Sequence, residues 1–169
     1  MNKEKFTLIG AGLAGPLLAT YLAKRGYSVE IFERRPDMRK ESISAGRSIN
    51  LALSIRGNHA LKEVGLYDKI KPNTIPMKGR MIHGLNGGIH LQPYGQKENE
   101  VIFSVSRAHL NMELMTLAEE TGNVTIRFNH QLLSADLEQN KLLFQLSDSL
   151  EKIEWSFNRV IGCDGSASI

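Results

Sequence analysis

Gly10, Gly12 and Gly15 follow the short apolar segment Phe6, Leu8, Ile9 in G-x-G-x-x-G order. Glycines at this spacing suit a phosphate cradle. The first permits a tight turn, the second lets a pyrophosphate approach the backbone, and the third lets a helix pack closely on a strand. A helix starting there offers unpaired N–H groups and a positive dipole end to the anion. Leu13, Leu17, Leu18, Tyr21 and Leu22 recur at helical spacing directly afterwards. Pro16 is compatible with that helix, because a missing N–H costs little in the first turn. Glu33 supplies the second chemical group. It ends another apolar segment, Ser28 to Phe32, about twenty residues past the glycines, where an acid accepts a hydrogen bond from a ribose hydroxyl. Strand, glycine turn, helix, strand and acid together predict a dinucleotide site. The competing reading is a βαβ unit whose glycines serve packing alone.

The remaining chemical side chains are more scattered. Arg34 and Arg35 follow the acid and belong either to a solvated turn or to the adenosine site. Asp164 lies in Gly162-Cys163-Asp164-Gly165, after an apolar run from Trp155 to Ile161. If that run is a strand parallel to the first, it delivers a carboxylate beside the glycine turn. His83 and His90 are too far apart for one helical face, and no metal site is expected. The single Cys163 excludes an internal disulfide and cysteine-based zinc sites, and fits a reducing compartment. A net charge of +3 with dispersed basic residues does not favour nucleic-acid binding. From Phe6 to Ala23 there is no charge, and Lys3 and Lys5 precede the run, which imitates a signal or membrane segment. Its glycines and Pro16 fit the strand, turn and helix better, so a soluble, cytoplasmic chain without a membrane segment is expected.

The elements that must position these groups read as α/β. Ile49, Leu51 and Leu53 alternate as a strand with one buried face, and a helix runs from about Arg56 to Val64 before Gly65. From Met77 to Ile82, Ile89 to Leu91 and Val101 to Val105, short runs separated by Gly84, Gly87-Gly88 and Pro93-Tyr94-Gly95 predict antiparallel strands with tight turns. Ser106-Arg107 opens a helix bearing Leu110, Leu114, Leu117 and Ala118 on one face, which stops near Gly122. Strands at Val124 to Phe128, Gln131 to Leu137 and Lys141 to Leu146 follow. The expected division is a first nucleotide-binding part over residues 1–74, an inserted substrate-facing sheet over 75–105, and the nucleotide domain continued over 106–169.

The glycine motif, an arginine opening a mid-chain helix and the later G-C-D-G resemble the class A flavoprotein monooxygenases, which share the p-hydroxybenzoate hydroxylase fold. Within that class, "GRSINLALSIRG" (Gly46 to Gly57), "IPMKGRMIHG" (Ile75 to Gly84), "PYG" (Pro93 to Gly95) and "SVSR" (Ser104 to Arg107) resemble the kynurenine 3-monooxygenase family. The resemblance covers the whole chain and the N-terminal part of the family's length. It implies a Rossmann-like FAD-binding domain of the GR2 type, incomplete relative to the family, with the inserted sheet contributing to a substrate domain.

Position by position, the resemblance implies FAD contacts at Gly10, Gly12, Ala14 and Gly15, at Phe32, Glu33, Arg34 and Arg35, and at Ala52, Arg107, Leu132 and Asp164. Arg80 and Tyr94 match the residues that hold the substrate carboxylate, a suitable pair because a guanidinium binds a carboxylate bidentately and a phenol adds a donor. Each residue keeps a plainer alternative: Arg80 as a surface charge, Tyr94 as a turn residue packed on the sheet, Arg107 as a helix start, Asp164 as a cap. The implied reaction is hydroxylation of L-kynurenine to 3-hydroxykynurenine, with FAD as cofactor and NADPH and O₂ consumed. No residue here is then a covalent nucleophile or an obligatory acid. The chain by itself is expected to bind FAD weakly and not to turn over. Competing readings are a flavin hydroxylase for another aromatic acid, a nicotinamide-dependent dehydrogenase, and a non-catalytic nucleotide-binding module.

Overall fold

The computed structural model describes residues 4–40, 49–97 and 100–168. Lys3, Gly46 to Ser48 of the "GRSINLALSIRG" string, and Ile169 lie outside the described residues. The chain forms two compact units, Met1–Ala45 with Asn111–Ile169, and Gly46–Leu110.

The first unit is built on a parallel sheet. β1 (Lys5–Ile9), β2 (Ser28–Phe32), β8 (Val124–Arg127) and β12 (Arg159–Gly162) lie in the order β12-β1-β2-β8, each parallel to its neighbour. Parallel strands are covered on both faces, so they read as continuous apolar runs. Alternation then sends successive residues to opposite sides. Leu8 and Ile31 enter a core with Ala19 and Ala23 of α1 (Ala14–Lys24) and with Met115 and Ala118 of α4 (Arg107–Glu120). Ile9 and Phe32 point the other way, to Leu142 and Phe144. Those two belong to β10 (Lys141–Leu146), the centre of a small antiparallel sheet between β9 (His130–Asp136) and β11 (Lys152–Ser156). Phe32 stacks on Phe144 with ring centroids 4.2 Å apart.

Trp155 to Ile161 is not one strand. β11 ends at Ser156 in the antiparallel sheet, and β12 begins at Arg159 in the parallel one. The corner is held by the Phe157 N–H donating to the Asn140 carbonyl at 3.1 Å. Apolar content alone cannot reveal that a strand changes sheets, because both halves are partly buried. The consequence expected of the run survives: β12 lies parallel to β1 and delivers Asp164 past its carboxyl end.

Arg39 ties the loop after β2 to α4. Its Nε and Nη2 each donate to Asp37 at 2.8 Å, and Nη1 donates to Glu119 at 2.7 Å. The Arg39 hydrogen bond holds the buried Asp37 carboxyl below its ordinary value. That contribution to stability is therefore complete above the ordinary value and is lost as pH falls through the lower, folded one. Arg39→Ala is expected to cost about 1–3 kcal/mol, because the buried carboxylate then loses the guanidinium and keeps only the backbone N–H of residue 39. Thermal melts of both proteins from neutral to acidic pH check this. The gap between them should close in acid.

In the second unit, β3 (Asn50–Leu53), β4 (Ile75–Met77) and β7 (Ile102–Ser106) make an antiparallel sheet in the order β3-β7-β4. α2 (Ile55–Val64) ends at Gly65, whose φ of 84° is the left-handed conformation that glycine adopts without strain. α3 (Tyr67–Ile70), which no sequence signal marked, buries Ile70. The expected Met77 to Ile82 strand breaks at Lys78. β4 joins β7, while β5 (Gly79–His83) pairs with β6 (Ile89–Pro93) as a separate hairpin. Gly79 permits this, since a Cβ there would meet the Gln92 and Pro93 backbone. Met81, Ile89 and Leu91 of this hairpin are exposed.

Candidate functional site

The glycine turn sits at the carboxyl end of β1, between β12 and β2. The Gly10 N–H donates to the Phe32 carbonyl and the Cys163 N–H donates to the Ile9 carbonyl, both at 2.7 Å. These bonds tie the ends of the three strands together. Gly10 has φ of +102°, and a Cβ on it would lie 2.8 Å from Asp164 Cα. A Cβ on Gly15 would overlap the Gly10 carbonyl oxygen. Both glycines are thus required by close backbone packing. Gly12 is different, since a Cβ there would meet nothing within 4 Å. The turn is closed at its first and third glycines and open at its second, which is the side a pyrophosphate needs.

α1 begins at Ala14, an exposed residue, and Leu13 before it makes no side-chain cap. No acidic residue lies in the first turn. The start of the helix therefore carries neither a side-chain cap nor an acid, the condition under which free N–H groups can receive an anion.

Glu33 is buried, with 6% of its surface exposed. Its Oε2 accepts the Ala11 N–H at 2.8 Å, and Oε1 accepts the Arg35 N–H at 3.0 Å and Nε at 2.8 Å. Burial pushes this carboxyl up, but the bonds from Arg35 and Ala11 together outweigh it, and the net direction is down. The acid is ionised at neutral pH and is fixed beside the turn.

The loop carrying Glu33, Arg34 and Arg35 is anchored through its carbonyls. His130 N–H donates to Glu33 at 2.9 Å, Ser147 Oγ to Arg34 at 3.2 Å and Asn129 N–H to Arg35 at 3.2 Å. The Arg35 guanidinium binds Glu33, while its side chain remains 56% exposed. Phe32 brings its carbonyl to the turn, and its ring belongs to the core. Leu132 packs against the same cluster from β9. Asp164 stands at the start of a 3-10 turn, Gly165–Ala167, and makes no capping hydrogen bond. Burial, and then the neighbouring Asp164 charge, push the Cys163 thiol up.

Gly10, Gly12, Ala14, Gly15, Phe32, Glu33, Arg34, Arg35, Leu132 and Asp164 all belong to the first unit, and Ala52, Arg80, Tyr94 and Arg107 to the second. Ala52 is exposed on β3, opposite Ser104. Arg107 opens α4, its N–H donating to the Ile49 carbonyl at 3.2 Å. On the hairpin, Arg80 lies opposite Gln92 and donates to its Oε1 at 2.8 Å. The ladder continues with the Tyr94 N–H donating to the Lys78 carbonyl at 3.0 Å. In that register Arg80 and Tyr94 are diagonal neighbours on one face. Both are exposed.

Reading the sequence missed the groups that hold the turn and loop from afar: Asn129, Ser147 and Asn111. For Asn111 a signal exists, a polar residue between Leu110 and Leu114 on the buried face of α4. Among the described residues, no group of three or more His, Cys, Asp or Glu is placed to hold a metal, and no helix is long and apolar enough to cross a membrane.

Comparison with known proteins agrees with this geometry. The family model for the FAD binding domain matches residues 5–169. The chain is 48% identical over 167 residues to kynurenine 3-monooxygenase of Myxococcus xanthus, covering 99% of this chain and 36% of that protein. It is 42% identical over 168 residues to the Sus scrofa kynurenine 3-monooxygenase, covering 99% and 35%. The chain thus spans little more than a third of the length of these relatives. Among solved structures, p-nitrophenol 4-monooxygenase PnpA from Pseudomonas putida DLL-E4 superposes with a TM-score of 0.79 at 20% identity, covering 98% of this chain and 42% of that one. The flavin-dependent monooxygenase PieE in complex with FAD and substrate gives 0.79 at 16% identity, covering 98% and 31%. At those identities the likeness is one of fold.

Proposed function

We propose that this chain, which belongs to the FAD-binding domain family, forms part of an NADPH- and O₂-consuming monooxygenase that converts L-kynurenine to 3-hydroxykynurenine. The observation that carries the reading is the 48% identity to a kynurenine 3-monooxygenase, which extends over 99% of the chain. It therefore takes in the Arg80 hairpin as well as the glycine turn.

In this reading the open side of Gly12 and the start of α1 receive the pyrophosphate, and Glu33 accepts from the ribose. Phe32, Arg34, Arg35, Leu132 and Asp164 belong to the same unit as the turn, and Ala52 and Arg107, in the second unit, are assigned to FAD by the family resemblance alone. FAD, when bound, supplies the oxygen-transfer chemistry. The chain's own contribution is orientation. Arg80 and Tyr94, on one face of the hairpin, take the carboxylate of the amino acid and leave its ring free to be aimed. A fixed carboxylate limits how the aromatic end can lie, and position along the ring is what hydroxylation must select.

The test is product formation by the protein at its full natural length, supplied with FAD, NADPH, O₂ and L-kynurenine, and read by mass. Arg80→Ala is expected to raise KM about ten- to a hundredfold, the loss of one charged hydrogen-bonding partner, with a smaller effect on kcat. NADPH consumption without product, or indifference to kynurenine, overturns the substrate assignment and leaves the flavin site standing.

A further inference from the structure

Asn111 has no part in the chemistry described so far, yet it is buried at 6% exposure on α4 and makes a specific bond. Its Nδ2 donates to the Ala11 carbonyl at 3.1 Å, across a hundred residues, and approaches the Met38 sulfur at 3.4 Å. Its Oδ1 is buried and has no hydrogen-bond partner among the described residues. A buried amide satisfied on one side only is a net cost, so the bond it does make needs a reason.

Ala11 is unusual in turn, because side chains hold both of its backbone groups. Glu33 accepts its N–H and Asn111 donates to its C=O. In a trans peptide the C=O of one residue and the N–H of the next point in opposite directions. By drawing the Ala11 carbonyl into the protein, Asn111 turns the Gly12 N–H away from the interior. Gly12 is the glycine whose surroundings are open. Reversal of this one peptide would instead present a carbonyl oxygen to an anion.

We infer that Asn111 is a positioning residue that sets the Ala11–Gly12 peptide, so that the Gly12 N–H is offered to the cofactor pyrophosphate. The inference rests on the dinucleotide reading of the glycine turn. It assigns Asn111 a role in phosphate recognition separate from the ribose contact of Glu33.

The test is a titration of apoprotein at full natural length with FAD, ADP and adenosine. Wild type, Asn111→Leu and Asn111→Asp are compared between about pH 5.5 and about pH 8.5. Leucine removes the donor. Aspartic acid donates to the carbonyl only while protonated, and burial raises its pKa into the tested range. Among the described residues, titratable and charged groups near the turn include Glu33 with Arg35, Cys163 and Asp164 beside Gly10, and the Asp37, Arg39 and Glu119 network beside Met38, while His109 and Glu113 flank position 111 along α4. All are common to the three proteins, so wild type and the leucine variant correct for them.

The leucine variant should lose about tenfold in FAD and ADP affinity at every pH, and keep adenosine, which has no phosphate, within about twofold. The aspartate variant should bind FAD poorly at the alkaline end and recover toward wild type at the acidic end. Equal FAD binding by wild type and the leucine variant overturns the inference alone. So does an equal loss of adenosine, which marks a merely structural tie. If the aspartate variant does not fold, the ADP-to-adenosine comparison in the leucine variant decides. Failure of wild type to bind FAD or ADP overturns the dinucleotide reading together with the inference.

Discussion

Gly15→Ala should unfold the cofactor site, and Gly12→Ala should empty it while leaving the fold intact. The two substitutions add the same methyl group a few residues apart. At Gly15 the new Cβ overlaps the Gly10 carbonyl oxygen, a backbone atom at the end of β1 that cannot swing aside. Either α1 backs away from the sheet, opening the core around Leu8, Ala19 and Ala23, or the turn is rebuilt. Overpacking of this kind costs about 3 kcal/mol or more. That corresponds to a fall in melting temperature of about 6–12 °C for a chain of this size. At Gly12 the methyl meets nothing within 4 Å, and the residue does not hold a left-handed φ. Stability should change by no more than about 0.5 kcal/mol, as for an unobstructed surface position. The methyl then stands where the pyrophosphate approaches, and FAD affinity should fall by at least about tenfold. Melting curves and flavin titration on the same two variants check the pair. If Gly12→Ala binds FAD like wild type, the anion does not approach the turn from that side.

Much of this arrangement is legible in the sequence, for a physical reason. A turn that requires glycine at two places and leaves a third open, and a buried carboxylate at the end of the next strand, are short-range demands, and short-range demands leave fixed spacings. The stop of α2 at Gly65 is legible on the same ground, since a left-handed C-terminal residue is a local requirement. What the spacing does not carry is partnership at long range. Trp155 and Val160 share one apolar run, but they belong to different sheets, and only pairing partners decide that. The break at Lys78 is hidden likewise, because Met77 faces β7 while Arg80 faces β6. The anchors of the Glu33 loop are hidden more deeply. Asn129 and Ser147 act through backbone and hydroxyl groups that many residue types supply, so neither leaves a motif. Arg80 and Tyr94 stand out in the sequence only by family resemblance, and their common face emerges from the register of the hairpin.

Glu33 is where fold and ligand demands meet most closely, and its removal should be the more informative loss. Three donors converge on its two oxygens, from Ala11 N–H, Arg35 N–H and Arg35 Nε. In Glu33→Ala the buried Ala11 N–H loses its acceptor, at a cost of about 1–3 kcal/mol. The loop itself should persist, because Glu33 N–H still donates to the Arg127 carbonyl, and His130, Ser147 and Asn129 still hold the carbonyls of residues 33, 34 and 35. A folded variant without the acid is therefore obtainable. Its FAD affinity should fall by about ten- to a hundredfold, the worth of a ribose hydroxyl donating to a charged acceptor. Glu33→Gln keeps one acceptor oxygen but turns an amide N–H₂ toward donors, so Ala11 or Arg35 loses its partner and an intermediate loss is expected. The acid dependence separates charge from shape. The folded carboxyl titrates below its ordinary value, so its contribution to stability is complete above that value and is lost as pH falls through the lower one, and its charge stays available to a ligand until pH reaches that lower value. Wild-type affinity should hold from neutral pH through the ordinary carboxyl range and decline only as pH approaches the lower, folded value, more steeply than that of Glu33→Gln. If Glu33→Ala melts lower but binds FAD as wild type does, the acid only braces Ala11 and Arg35, and the ribose is held elsewhere.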